Sequence, residues 1–152
     1  MMLASTNLFS QSKEYSHTAY FELGGAGLLY SINYELGNFF VKNNRKVNFR
    51  IGSSIIPNNP VAYQPIIGAT IEWGKKYNVQ LSYNFTFPIS TAGTDYSSYN
   101  TLGVGIIRRP IKGFYFHAKF HAIVSYSSVE SWGSIGHISP WISFGLGYTI
   151  KH

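Results

Sequence analysis

The sequence predicts an all-β chain: an antiparallel, up-and-down transmembrane β-barrel of eight strands, with seven clear strands as the alternative. Three observations carry that expectation. The first is the stretch 76–88, KYNVQLSYNFTFP. Its odd positions, Tyr77, Val79, Leu81, Tyr83, Phe85 and Phe87, are all apolar or aromatic. Its even positions, Asn78, Gln80, Ser82, Asn84 and Thr86, are all polar and uncharged. Successive strand side chains point to opposite faces, so one wall is greasy and the other polar. The second is composition. Only 12% of the 152 residues are charged and 17% are aromatic, whereas soluble domains carry about 25% charged residues. Mean hydropathy is −0.03, and no run approaches the ~18 apolar residues of a spanning helix. Strand alternation hides lipid-facing residues from hydropathy in just this way. The third is the content of the polar face, where Gly52, Gly68, Gly103, Gly105, Gly145 and Gly147 sit among Ser, Thr and Asn. Turned to water, that face would be poorly charged, which disfavours a soluble lipocalin-like barrel or β-sandwich. Turned inward, it fills a lumen that has room only for side chains. Closure follows because an open edge in lipid leaves backbone groups unpaired at several kcal/mol each.

The elements follow in order. Residues 1–11 (MMLASTNLFSQ) resemble the tail of a secretory signal peptide, a short apolar segment and small residues without a basic start. The barrel is therefore expected over 12–152. Segment 15–23 alternates, with Tyr20 and Glu22 on the polar side. Gly24-Gly25-Ala26-Gly27 follows, and glycine's access to positive φ permits a tight turn or a bulge. Segment 28–36 alternates again, placing Ser31, Asn33 and Glu35 inward. Splitting 15–36 at the glycines gives eight strands and leaving it whole gives seven; bacterial single-chain barrels are even-numbered. Residues 37–46 read as an Asn- and Lys-rich loop. Strands are expected over 47–55, 64–73, 76–88, 100–107, 114–126 and 141–151. The connections 57–60, 89–98 and 127–139 read as loops, and 74–76 and 108–113 as tight turns.

The basic residues are distributed unevenly. The formal charge is +6, which invites a nucleic-acid reading. Yet Lys42, Arg45, Lys46, Lys75, Lys76, Arg108, Arg109, Lys112 and Lys151 fall at every second turn or at the C-terminus, and Lys13 precedes the first strand. Alternate turns of a meander share one end, so ten of the twelve basic residues gather on one rim. They sit on turns without a groove, and no nucleic-acid partner is expected. Loop length makes the short basic turns periplasmic.

Two stretches carry a family resemblance. Glu22-Leu23-Gly24-Gly25-Ala26-Gly27-Leu28-Leu29-Tyr30-Ser31-Ile32-Asn33-Tyr34 resembles the opening of small outer-membrane β-barrel proteins of the Bacteroidetes type. Pro140-Trp141-Ile142 and Gly145-Leu146-Gly147-Tyr148-Thr149-Ile150 are similar to their closing strand. The usual terminal aromatic is replaced here by Ile150-Lys151-His152. The resemblance implies residence in the bacterial outer membrane and insertion by barrel-assembly machinery, but no activity. Outer-membrane lipid and lipopolysaccharide are the other expected partners, and a monomer is expected.

The chemistry the residues allow is limited. Zero cysteines excludes disulfides and thiolate metal sites. Gly24–Gly27 lacks the Lys-Ser/Thr of a phosphate-binding loop. His117 and His121, four apart on one strand, lie ~13 Å from each other, too far to share a metal. No cofactor or metal site is expected. His117, His121 and Ser125 are the catalytic candidates for a hydrolase of the lipid A deacylase kind, in which His activates Ser and an acid orients His. The favoured reading makes Glu22, Arg50, Glu72, His117, Lys119 and His121 an interior network of ion pairs and hydrogen bonds. A third reading is an interaction protein working through Tyr96, Tyr99 and Trp132 on external loops. Those aromatics fit an interfacial girdle better, and a filled eight-stranded interior argues against an open pore.

Overall fold

The computed structural model describes residues 15–42, 45–56, 62–74, 76–87, 89–90, 98–125 and 137–151. The expected signal remnant 1–11, and Tyr96 and Trp132 of the loops, lie outside them. Eight long strands form the wall: β1 (Ser16–Leu23), β2 (Tyr30–Lys42), β3 (Arg45–Ile56), β4 (Ala62–Gly74), β5 (Asn78–Thr86), β7 (Tyr99–Arg108), β8 (Gly113–Ser125) and β9 (His137–Lys151). A two-residue strand, β6 (Ile89–Ser90), pairs with Ala62 and Tyr63 of β4. Each long strand pairs antiparallel with its neighbour in sequence, and β1 pairs antiparallel with β9, from Ser16↔Lys151 to Leu23↔Phe144. The sheet is therefore a closed, eight-stranded, up-and-down barrel.

Alternation decides which face turns where. On β5 the burial pattern is strictly two-faced: Asn78, Gln80, Ser82, Asn84 and Thr86 are buried, while Val79, Leu81, Tyr83 and Phe85 are exposed. The same holds around the wall. Ile32 is 69% exposed and Leu146 63%, whereas Glu22, Glu35, Arg50 and Glu72 are each 0% exposed. A water-soluble fold does the opposite.

The connections define two rims. The strand ends at Lys42, Arg45, Gly74, Asn78, Arg108 and Gly113 lie at one end with Ser16 and Lys151. Those at Leu23, Tyr30, Ile56, Ala62, Thr86, Tyr99, Ser125 and His137 lie at the other. The glycine segment is a real turn, which yields the eighth strand. Gly24 (φ 73) and Gly25 (φ 75) direct the chain inward into a 3-10 turn, Gly25–Gly27, that places Ala26 at 0% exposure inside the mouth of the barrel.

Five expectations are corrected. Residues 37–46 are not a loop: β2 runs on to Lys42 and β3 begins at Arg45. A bulge between Leu36 and Phe40 shifts the register and conceals the strand's period. Asn38 sits there at φ 61, and its backbone N–H donates to Asn48 Oδ1 at 2.9 Å. Ile89–Ser90 is paired strand, not loop, and β9 begins at His137 inside the expected loop. Tyr99 is not a loop aromatic. It opens β7 facing inward, 5% exposed, its hydroxyl donating to Ala26 O at 2.8 Å. Arg109 is no rim cation: its side chain turns back into the lumen.

Candidate functional site

The lumen is the place where this sequence concentrates its chemistry, and the inner glycines explain how. Each lies, across the sheet, beside larger inward residues. Gly145 pairs with both Glu22 and His117. Gly147 stands likewise between Tyr20 and Tyr115, Gly68 between Arg50 and Asn84, and Gly103 between Ser82 and His121. With no Cβ on the central strand, flanking side chains lean over the gap and meet. A Cβ built on Gly145 would stand 2.6 Å from His117 Nδ1 and 2.7 Å from Nε2, well inside contact distance.

The central cluster is built around Arg50. Its Nη2 pairs with Glu22 Oε2 and donates to Asn33 Oδ1 at 2.7 Å, Nε donates to the same oxygen at 3.0 Å, and Nη1 reaches Asn84 Oδ1 at 3.4 Å. The second Glu22 oxygen lies 3.0 Å from His117 Nε2, and His117 Nδ1 lies 2.9 Å from Tyr115 Oη. Nearer the basic rim is a second cluster. Arg109 Nη2 lies 2.5 Å from Glu35 Oε1 and 2.7 Å from Glu72 Oε1, while Nη1 donates to Thr18 Oγ1 at 2.9 Å. Glu72 also accepts from Asn48 at 2.5 Å and from Gln80 at 3.2 Å. The two clusters are joined by a column of rings. Arg50 lies 5.4 Å from the Tyr20 centroid, Tyr20 5.0 Å from Tyr115, and Arg109 5.1 Å from Tyr115. Cations over aromatic faces gain from the ring quadrupole, more so away from water.

Lys119 is also buried; its Nζ meets no hydrogen-bond acceptor among the described residues and stands in the field of Glu22 and Glu35. Three buried carboxylates, Glu22, Glu35 and Glu72, thus face three buried cations, Arg50, Arg109 and Lys119. Among the described residues these buried charges balance one another in number.

All six expected network residues lie on the inner wall, but in different groups. Glu22, Arg50 and His117 meet. Glu72 belongs to the Arg109 cluster. His121 Nε2 instead contacts Ser143 Oγ at 2.8 Å, and its Nδ1 has no hydrogen-bond partner among the described residues. Ser125 ends β8, opposite Tyr99 and His137, ~13 Å along the strand from His121. Among the described side chains, the serine beside His121 is Ser143, and the carboxylate Glu22 binds the other histidine, His117. Arg109 and Ser143 escape a reading that stops at the turn or starts from β8 alone. A signal for Arg109 exists, since the inward series Thr101, Gly103, Gly105, Ile107 reaches it next.

The far mouth is closed by the Gly25–Gly27 turn. Ala26 O accepts from Thr86 Oγ1 at 3.2 Å as well as from Tyr99, and Gly27 O accepts from Ser54 Oγ at 3.2 Å. Trp141 Nε1 donates to Leu28 O at 3.0 Å just outside.

No protein-family model and no curated protein sequence matches the chain. Among solved structures, the barrel is similar to the N-terminal β-barrel domain of Pseudomonas aeruginosa OprF. The TM-score is 0.57 at 11% identity, covering 91% of this chain and 98% of that one. Looser matches are Neisserial surface protein A (TM-score 0.47, 10% identity, 91% and 94% covered) and a de novo designed transmembrane β-barrel (0.44, 12%, 92% and 96%). The OprF likeness shows the fold, a small closed up-and-down β-barrel.

Proposed function

We propose that the chain is a small, monomeric, integral outer-membrane β-barrel protein whose role is structural, with the ion-paired lumen acting as its internal frame. One observation carries this reading: the wall presents aliphatic and aromatic side chains around its whole circumference, while Glu22, Glu35, Glu72, Arg50 and Arg109 are enclosed and paired with one another. A ring of exposed apolar side chains needs hydrocarbon beside it. The short turns 43–44, 75–77 and 109–112 face the periplasm and the longer connections face outward, in keeping with barrels of this class. Lipid and lipopolysaccharide surround the wall, and barrel-assembly machinery inserts it.

The full chain, expressed with an export signal, is expected in the outer-membrane fraction and in solution only with detergent. Unboiled, it should run faster on an SDS gel than boiled, because a closed barrel resists the detergent. Recovery from the soluble fraction with no such shift would overturn the reading.

A further inference from the structure

The outer wall carries a groove at the basic rim. Phe40, Lys42, Arg45, Val47, Ile71 and Trp73 line it, around about 540 Å³. That volume falls within the range of about 300–1,000 Å³ typical of small-molecule sites. Strand register arranges its lining in two rows. Phe40, Val47 and Ile71 are cross-strand neighbours on β2, β3 and β4. Lys42, Arg45 and Trp73 form the next row toward the rim, about 7 Å away. The bulge at Leu36/Phe40 sets this up, because it brings Phe40 and Lys42 into line with Val47 and Arg45.

We propose that this groove binds one anionic glycerophospholipid of the adjoining leaflet. The proposal rests on the membrane reading above and adds a defined site to it. An apolar row continued rimward by two cations and an indole matches such a lipid from chain to headgroup. An acyl chain lies along Phe40, Val47 and Ile71. The phosphate is held by the Arg45 fork and the Lys42 ammonium. The Trp73 ring sits at headgroup level, where indoles are enriched. Charge argues for an anion. Lys42 and Arg45 are exposed, and no ion pair among the described residues engages either. The nearest acid in register, Glu72, points inward and is held by Arg109. A zwitterionic headgroup would bring its own cation to a site that already has two.

The test uses the full chain with Trp73 as sole tryptophan (W132F/W141F), in phosphatidylcholine vesicles. A small fraction of dibrominated phosphatidylglycerol, or of dibrominated phosphatidylcholine, serves as quencher. Half-quenching of Trp73 is expected at an about tenfold lower fraction of the anionic lipid. That preference should vanish with K42Q/R45Q and survive K112Q, which removes a rim charge from another turn. Equal quenching by the two lipids, or a preference that survives K42Q/R45Q, removes the site and leaves the membrane reading standing. Quenching by neither lipid removes both.

Discussion

At the scale of single residues, Arg50 shows what an enclosed charge demands. A guanidinium stays protonated at any ordinary pH and has five donors to place. Here Glu22 supplies the counter-charge, and Asn33 and Asn84 take further donors. Removing one member of such a pair strands the other, which costs about 3–5 kcal/mol, while replacing both is far milder. Arg50→Met alone should therefore destabilise the barrel by about that amount, and E22Q/R50M by clearly less than the sum of its single variants. Urea unfolding from lipid vesicles, followed by tryptophan fluorescence, measures both; strict additivity would show that the two side chains are not coupled. Gly145 makes a parallel case by packing. Because His117 occupies the space where a Cβ would go, Gly145→Ala should cost about 1–3 kcal/mol. In an H117A background, where the ring is gone, the same Gly145→Ala should cost clearly less in that assay, unless strain in β9 itself is the cause.

At the scale of elements, the β2–β3 hairpin marks where local pattern stops being readable. The other long strands keep an unbroken two-residue period, and on β5 and β8 the faces follow from the sequence directly. In β2 two extra residues between Leu36 and Phe40 interrupt the alternation, Phe39, Phe40 and Val41 are all exposed, and the segment resembles a loop by composition. Arg109 was obscured differently: it lies beyond the last ladder residue, and only its partners Glu35 and Glu72, distant in sequence, explain why it turns inward. The inward charges were legible as a set, because parity assigns a face. Their grouping was not, because which acid meets which base depends on stagger around the closed sheet. The bulge makes its own prediction. Asn tolerates the left-handed region better than a β-branched residue does. Asn38 at φ 61 should accept glycine with little change, while Asn38→Val should cost about 1–2 kcal/mol. Losses of similar size from both substitutions would mean that the Asn38 side chain, not its backbone conformation, matters.

At the scale of the whole molecule, the inversion of inside and outside is what the other features serve. Paired charges let a polar centre exist without water on every side, the glycines let large polar side chains share a narrow bore, and the Gly25–Gly27 turn occupies one mouth. None of this identifies the surrounding medium as directly as the wall does, and depth along the wall provides a test. Leu81 lies mid-strand on β5, 45% exposed, while Phe114 lies at the rim end of β8, 71% exposed. In water, exposed positions accept arginine at either place with changes within about ±0.5 kcal/mol. In a bilayer, arginine on the lipid face costs about 2–4 kcal/mol at the midplane and about 0–1 kcal/mol near the interface. Leu81→Arg should therefore destabilise the vesicle-embedded barrel by several-fold more than Phe114→Arg. The gradient, rather than either value alone, is diagnostic. A local packing defect at Leu81 would also be reproduced by Leu81→Ala, which removes the side chain without adding charge, and that variant is expected to cost less than the arginine. If arginine proved equally mild at both depths, the exposed aromatic and aliphatic wall would have to be covered by something other than lipid.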